Sequence, residues 1–129
     1  MRQRLFVLIA ITGIAVVCVL LLLGHRTEVA RTSSPDGTFQ AVTTVSSWRR
    51  SIPVMPGQSG DQPCYVEILR ADGASMGELP VDMVQIAVVE WTSDGAQIKL
   101  VGGWDFVKGL CWHWDRDQTR YTYVKGHAP

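Results

Sequence analysis

Residues 5–23 form an unbroken apolar run of nineteen residues, LFVLIAITGIAVVCVLLLL, which contains no charged residue and no proline. A helix of this length extends about 28 Å, close to the thickness of the bilayer core, about 30 Å. Fourteen of its residues are Leu, Ile, Val or Phe, the side chains that insert into membranes most favourably. The run therefore predicts a transmembrane helix, with the folded domain in the residues that follow it.

The flanks of the run favour a retained signal-anchor over a cleavable signal peptide. A signal peptide has a shorter apolar core, about 7–15 residues, and ends in a small-x-small cleavage site. Cleavage after Ala30 would place Glu28 at the position that needs a small residue, and cleavage after Gly24 would place Leu22 there. A cleaved segment remains the alternative.

The charges beside the run give a small bias in orientation. Arg2 and Arg4 precede it, whereas Arg26 and Arg31 follow it, so the positive-inside rule only slightly favours a cytoplasmic N-terminus. We expect residues 1–4 to be a cytoplasmic head. The protein is then a single-pass protein of a bacterial-type inner membrane, with its C-terminal domain outside the cytoplasm, in the periplasm.

Cys64 and Cys111 are the two cysteines that follow the apolar run. An extracytoplasmic domain lies in an oxidising space, where such a pair is expected to form a disulfide. The bond would close a loop of about 47 residues and contribute roughly 4 kcal/mol according to chain-entropy arguments. Two separate buried thiols are the alternative, and they would suit a cytoplasmic domain. With the orientation above, we predict a Cys64–Cys111 disulfide.

The domain is expected to be all-β, because Val, Thr, Tyr, Trp and Ile dominate short segments between turns that contain Gly, Pro or Asp. The predicted strands are 38–48, 64–70, 85–91, 97–101, 110–115 and 120–125. The segment 85–91 lacks alternation and is expected to be central in its sheet. Residues 24–33 are expected to be a linker, 51–63 a long surface loop and 76–83 irregular. The predicted fold is a small antiparallel sandwich or meander of about 6–8 strands over residues 34–129.

The segment 89–100 reads VEWTSDGAQIKL, and Trp112-His113-Trp114-Asp115 follows it. This stretch, residues 89–115, resembles one blade of a β-propeller, as found in tryptophan–aspartate repeats and in periplasmic Tol-type propellers. Residues 34–42, SPDGTFQAV, resemble the same strand turn a second time. A closed propeller needs at least four blades of about 40 residues each. The resemblance therefore implies an antiparallel meander and no particular function.

The sequence contains no set of residues with the spacing of a catalytic or metal site. The three histidines, His25, His113 and His127, lack ligand spacing. A Gly-x-Ser-x-Gly elbow and a phosphate-binding glycine loop are both missing. Basic and acidic residues are balanced at twelve each and are scattered, which gives no footprint for nucleic acid. We therefore predict a non-catalytic protein with no cofactor, no metal and no nucleic-acid partner.

Aromatic residues are the remaining functional signal, since the chain has five tryptophans. Trp112 and Trp114 share a strand face with Leu110, so packing in the core is expected. Trp104 and Phe106 lie in the stretch GGWDF, expected to be a mobile loop, and we predict that they belong to a contact site. The predicted function is a membrane-anchored interaction or accessory module with an unknown protein partner. The alternative is a small glycan- or peptide-binding domain that uses exposed aromatics.

Overall fold

The computed structural model describes the backbone of residues 2–50, 62–115 and 118–123, and the side chains of residues 10–49, 62–114 and 119–121. Two helices and nine strands are formed in these ranges. In chain order they are α1 (Arg2–Gly24), β1 (Arg26–Ser33), β2 (Phe39–Ser46), α2 (Ser47–Arg50), β3 (Cys64–Arg70), β4 (Ser75–Val81), β5 (Val89–Trp91), β6 (Gly95–Ile98), β7 (Gly102–Asp105), β8 (Leu110–Asp115) and β9 (Gln118–Tyr123).

The strands form two antiparallel meanders, which confirms the all-β prediction. The first sheet has the order β1-β2-β3-β4, and the second sheet has the order β5-β6-β7-β8-β9. Every neighbouring pair is antiparallel and consecutive in the chain. The predicted strand 64–70 has the bounds of β3, and the predicted strands 110–115 and 120–125 correspond to β8 and β9. Most of the predicted loop 51–63 lies outside the described residues.

The core lies between the two sheets, where β4 packs against β7 and β8. Both sheets contribute buried side chains, and the alternation of buried and less buried positions along β3 and β4 is the pattern of strands with one covered face. The largest fully buried side chains are Ile68, Met76, Leu79, Ile98, Val45, Val66, Val81 and Cys64.

Three strands, β1, β4 and β7, occur where the sequence predicted none. Residues predicted as a linker form β1, which pairs with β2 but is exposed along most of its length. An exposed edge strand needs no apolar alternation, so its sequence carries no strand signal. Residues predicted as irregular form β4, in which Met76, Leu79 and Val81 are buried. This strand was not predicted because it contains Gly77 and Pro80, and both residue types are rare in strand interiors.

The segment 85–91 forms less strand than the sequence predicted. Only Val89–Trp91 forms a strand, and it lies at the edge of the second sheet instead of its centre. A 3-10 turn precedes it at Val84–Ile86. Ile86 and Val88 are 42% and 65% exposed, so this apolar run is not covered on both faces. An apolar run of this length does not by itself distinguish a central strand from an exposed connection.

The predicted disulfide is wrong, because Cys64 and Cys111 are both buried free thiols. Cys64 in β3 pairs with Val81 in β4. Cys111 in β8 faces Gly77, where an added Cβ would lie 2.8 Å from the Cys111 Cβ. Gly77 and Val81 are four residues apart on one strand, about 13 Å at about 3.3 Å per residue. Disulfides require Cα atoms within about 7 Å, so the two thiols occupy separate parts of the core.

Helix α1 covers the apolar run at the N-terminus. In the part of the chain whose side chains are described, no helix is both long and apolar enough to cross a membrane. The structure therefore does not support the transmembrane span that the sequence predicts over residues 5–23.

Candidate functional site

Trp104, a predicted contact residue, lies in the interior. It belongs to β7 and not to a mobile loop, and it is 3% exposed. Its indole Nε1 donates a hydrogen bond of 2.9 Å to the carbonyl oxygen of Gly77. Glycine before Trp104 allows β7 to lie close to β8. A Cβ at Gly102 would lie 2.2 Å from the carbonyl oxygen of Trp112, so a larger residue would push β8 away. Trp104 therefore joins the two sheets and is not presented to a partner.

Phe106, the second predicted contact residue, lies just after β7 and is partly buried. Its ring stacks on Phe39 at the start of β2, with centroids 3.9 Å apart and planes at 19°. Its backbone N–H donates to the carbonyl oxygen of Asp94, which fixes the position of the ring. The stacked pair connects the two sheets at one end of the domain, because Phe39 belongs to the first sheet.

A cleft of about 360 Å³ opens beside this stacked pair. We call it the aromatic cleft, since three of its lining residues are Phe39, Trp91 and Phe106. The lining residues that complete it come from the β1–β2 turn and from the turn after β5: Ser34, Pro35, Asp36, Thr92 and Ser93. Its volume falls within the range of small-molecule sites, about 300–1,000 Å³. Phe106 lines this cleft, whereas Trp104 does not, and a contact role for Phe106 stays a prediction.

Asp36 supplies a fixed negative charge to the aromatic cleft. Its Oδ1 accepts hydrogen bonds from the Ser34 hydroxyl at 2.5 Å and from the Thr38 backbone N–H at 3.1 Å. These bonds, that of Ser34 first, lower the pKa of the Asp36 carboxyl to about 2. The turn itself was predicted from the sequence, and Gly37 adopts the positive φ of 72° that such a turn favours.

Trp91, one of the residues that line the cleft, has a buried indole N–H. Nε1 of Trp91 is the one buried side-chain nitrogen or oxygen among the described residues that has no hydrogen-bond partner. Leaving a buried donor unpaired costs about 1–3 kcal/mol. Buried polar atoms of this kind are rare in folded proteins and call for an explanation.

A second feature lies on the outer face of the second sheet. A groove of about 250 Å³ is lined by Leu100, Val101, Gly102, Trp112 and Trp114, and we call it the outer groove. Trp114 is 48% exposed and Leu100 is 80% exposed. The core face of β8 is therefore the face of Cys111, and the expectation that Trp114 packs in the core is wrong.

The buried cysteines have the properties of packing residues. Burial raises the pKa of Cys64 to about 11 and the pKa of Cys111 to about 12. The thiolate is the reactive form, so neither side chain is a nucleophile near neutral pH. Within the described ranges, no three His, Cys, Asp or Glu residues are grouped to hold a metal ion.

Sequence reasoning missed the aromatic cleft because its three rings are far apart in the chain. Phe39, Trp91 and Phe106 come from three different segments, and only the pairing of two sheets brings them together. The available signal was the repeated Asp-Gly turn, at Asp36 and Asp94, which lies beside two of these rings. No model of a protein family, no curated protein and no solved structure matches this chain.

Proposed function

We propose that this protein is a non-catalytic interaction module that binds a protein partner through its outer groove. The observation that carries the proposal is the groove's composition: its lining consists of Leu100, Val101, Gly102, Trp112 and Trp114, with no charged or polar residue. Interfaces concentrate their binding energy in aromatic residues that fill well-packed pockets. Trp114, which is about half exposed, is a candidate for such an anchor.

The lining of the outer groove favours a protein surface over a glycan. A sugar ligand requires polar side chains that pair with its hydroxyl groups, because specificity in small-molecule sites comes from a few precisely placed polar groups. Apart from the indole N–H groups of Trp112 and Trp114, the side chains that line the groove offer none. An apolar side chain of a partner protein matches it better, since its burial needs no hydrogen bonds.

Leu100 gives independent support for a contact role. Among the described non-glycine residues it alone has a positive φ, 64°, and this conformation costs roughly 1–2 kcal/mol for a residue with a Cβ. Its side chain is nevertheless 80% exposed. A strained and exposed leucine gains nothing from packing within the domain. Strain of this kind is concentrated at functional positions.

The proposal includes a membrane tether formed by α1. Its support is the apolar run of residues 5–23 and the exposure of four consecutive leucines, Leu20 to Leu23, between 50% and 69%. Four consecutive residues point to all sides of a helix, and a helix that is apolar all round requires an apolar environment. The extracytoplasmic location of the domain is supported by Arg2 and Arg4, which precede the run.

Site-specific photo-crosslinking tests the contact role in the protein's own membrane. The full chain with a photoreactive amino acid at position 114 is expected to form adducts with a specific partner, and the same reagent at the exposed Glu28 of β1 is not. The substitution Leu100→Ala should reduce these adducts about tenfold, in line with the loss of an interface anchor. Val107→Ala is the matched control, because Val107 is equally exposed, at 76%, and lies outside the groove. Equal adducts from both positions, or equal effects of both alanine variants, would contradict the proposal.

Reporter fusions at the C-terminus test the tether and its orientation separately. A reporter enzyme that is active only outside the cytoplasm should be active in the fusion. A fluorescent protein that fluoresces only in the cytoplasm should give no fluorescence. The fusion should also stay with the membrane fraction after alkaline extraction. The opposite pattern of activity would overturn the orientation, and release by alkali would overturn the tether.

A further inference from the structure

We infer that the aromatic cleft binds a small organic cation with an alkylammonium group, held between the aromatic rings and the carboxylate of Asp36. The cleft shares no residue with the outer groove. The inference therefore goes beyond the proposed function and does not depend on the partner of the groove.

The rings of the cleft provide the first part of the argument. Phe39, Trp91 and Phe106 all line it, and the stacking of Phe39 on Phe106 fixes two of them at 3.9 Å between centroids. The faces of aromatic rings carry partial negative charge and attract cations, and methylated ammonium groups are recognised by cages of such rings. Stacking covers one face of Phe39 and one face of Phe106, so cation–π attraction is left to their outer faces and to Trp91. Three aromatic lining residues together suit a cation that carries apolar methyl or methylene groups.

The charge of the cleft provides the second part. Asp36 is exposed at the edge of the cleft, and its hydrogen bonds from Ser34 and Thr38 hold it in one position. With a pKa of about 2 the carboxyl is ionised throughout the physiological range. The remaining polar lining residues, Ser34, Thr92 and Ser93, are neutral. The lining thus carries one negative charge and no positive charge.

Arg70, which lies across from Phe39, does not neutralise this charge. Arg70 is the strand partner of Phe39 in the register of β2 and β3, but it is not part of the cleft lining. Its Nη2 donates to the sulfur of Met76 at 3.5 Å, and its Nη1 lies 3.8 Å from Asp72. The guanidinium is therefore directed to groups outside the cleft.

The position of the cleft favours a soluble ligand over a lipid headgroup. Helix α1 ends at Gly24, and the cleft begins at Ser34, at the opposite end of β1. The eight residues of β1 extend about 26 Å at about 3.3 Å per residue. With α1 in the membrane, as proposed above, this distance separates the cleft from the headgroups.

Titration calorimetry on the full chain in a non-ionic maltoside detergent tests the inference. The probe is choline, and the control ligand is 3,3-dimethylbutan-1-ol, which has the same shape and no charge. Choline is expected to bind at least about tenfold more tightly, because cation–π attraction contributes up to about 2 kcal/mol in a desolvated site. Equal binding of the two compounds, or no choline binding at about 10 mM, would overturn it. This comparison needs no variant, so a folding defect does not affect it.

Two variants assign the binding to the cleft. Asp36→Asn keeps the side-chain oxygen of the turn and removes the charge, and choline should then bind about fivefold more weakly. Asp82→Asn is the matched control, because Asp82 is an equally exposed aspartate that follows β4 outside the cleft, and its affinity should not change. Equal losses in both variants would show a general charge effect and overturn the assignment to the cleft.

Nanodiscs distinguish a soluble cation from the cationic headgroup of a lipid as the ligand of the cleft. Choline affinity should be the same in phosphatidylglycerol and phosphatidylcholine nanodiscs if the ligand is soluble. A weaker affinity in phosphatidylcholine alone would mean that lipid headgroups compete for the cleft, which would overturn the soluble source. Neither result bears on cross-linking at the outer groove, so failures of the two proposals are distinguishable.

Discussion

The indole Nε1 of Trp104 donates a hydrogen bond of 2.9 Å to the carbonyl oxygen of Gly77, and this bond connects the second sheet to β4 of the first. Both residues lie where the sheets meet, and Trp104 is 3% exposed. The tryptophan that looks most available in the sequence is thus a structural residue. Its replacement by alanine would test folding and not partner binding.

The first prediction concerns this hydrogen bond. Trp104→Phe should lower the free energy of unfolding by about 1–2 kcal/mol, because it leaves the partly buried carbonyl of Gly77 without its indole donor. Trp114→Phe is the matched control, since Trp114 is about half exposed, and its effect should be within about 0.5 kcal/mol. Urea unfolding followed by circular dichroism measures both. Equal destabilisation by the two substitutions would contradict the structural role of Trp104.

The second prediction compares two glycines with similar backbones. Gly73 and Gly77 have φ values of 85° and 107°, but an added Cβ meets nothing within 4 Å at Gly73 and lies 2.8 Å from the Cys111 Cβ at Gly77. Gly73→Ala should cost about 1 kcal/mol for the strained backbone alone. Gly77→Ala should cost about 1–3 kcal/mol more, the usual effect of overpacking a core. Thermal unfolding of the two variants gives the difference, and equal transition temperatures would show that the sheets do not meet at Gly77.

Local turn chemistry is the part of this fold that the sequence makes predictable. The turn at residues 34–37 and the bounds of β3 were both predicted, because Pro, Asp and Gly act on their immediate neighbours. The packing of the two sheets was not predictable in this way. Trp104 is buried through a contact with Gly77, twenty-seven residues earlier, and no local pattern encodes that distance.

The candidate site was not predicted for the same reason, because its residues come from distant parts of the chain. Phe106 was identified from its aromatic character, but Phe39 and Trp91 become its neighbours only through the pairing of the meanders. Trp114 was expected in the core because it alternates with Leu110 and Trp112. The alternation is real, but it marks the outer face of the sheet, since Cys111 faces the core. Periodicity identifies two faces of a strand and does not say which one is covered.

The third prediction concerns the cysteines. Cys64 and Cys111 should react with Ellman's reagent only after unfolding, because both are buried and their pKa values are raised to about 11 and about 12. Reduction before electrophoresis should not change the mobility of the chain. A thiol with a raised pKa stabilises the folded state at neutral pH, and this contribution is lost as the pH rises above about 9 towards 12. A pair of thiols missing from the denatured protein would show that the disulfide forms after all.

The fourth prediction concerns the turn that supplies the charge of the aromatic cleft. Ser34→Ala removes the first hydrogen bond to Asp36, so the pKa of Asp36 should rise from about 2 towards its ordinary value of 3.8. A lowered carboxyl pKa stabilises the fold above the unfolded value and loses this effect as the pH falls from about 4 to 2. Carbon-detected NMR titration of the side chain measures the shift directly. An unchanged pKa in Ser34→Ala would mean that another group holds the carboxylate.

The fifth prediction separates stability from contact at Leu100. Its φ of 64° suits glycine or asparagine better than leucine, and its side chain is 80% exposed. Leu100→Asn should therefore raise the free energy of unfolding by about 1 kcal/mol while it reduces the cross-linking from position 114. Leu100→Ala is the control, because alanine removes the side chain but keeps the backbone strain, so it should reduce cross-linking without the gain in stability. A loss of stability in Leu100→Asn would mean that the leucine packs on the domain itself. A gain in stability with a loss of contact would show that the chain retains a strained leucine at this position for its partner.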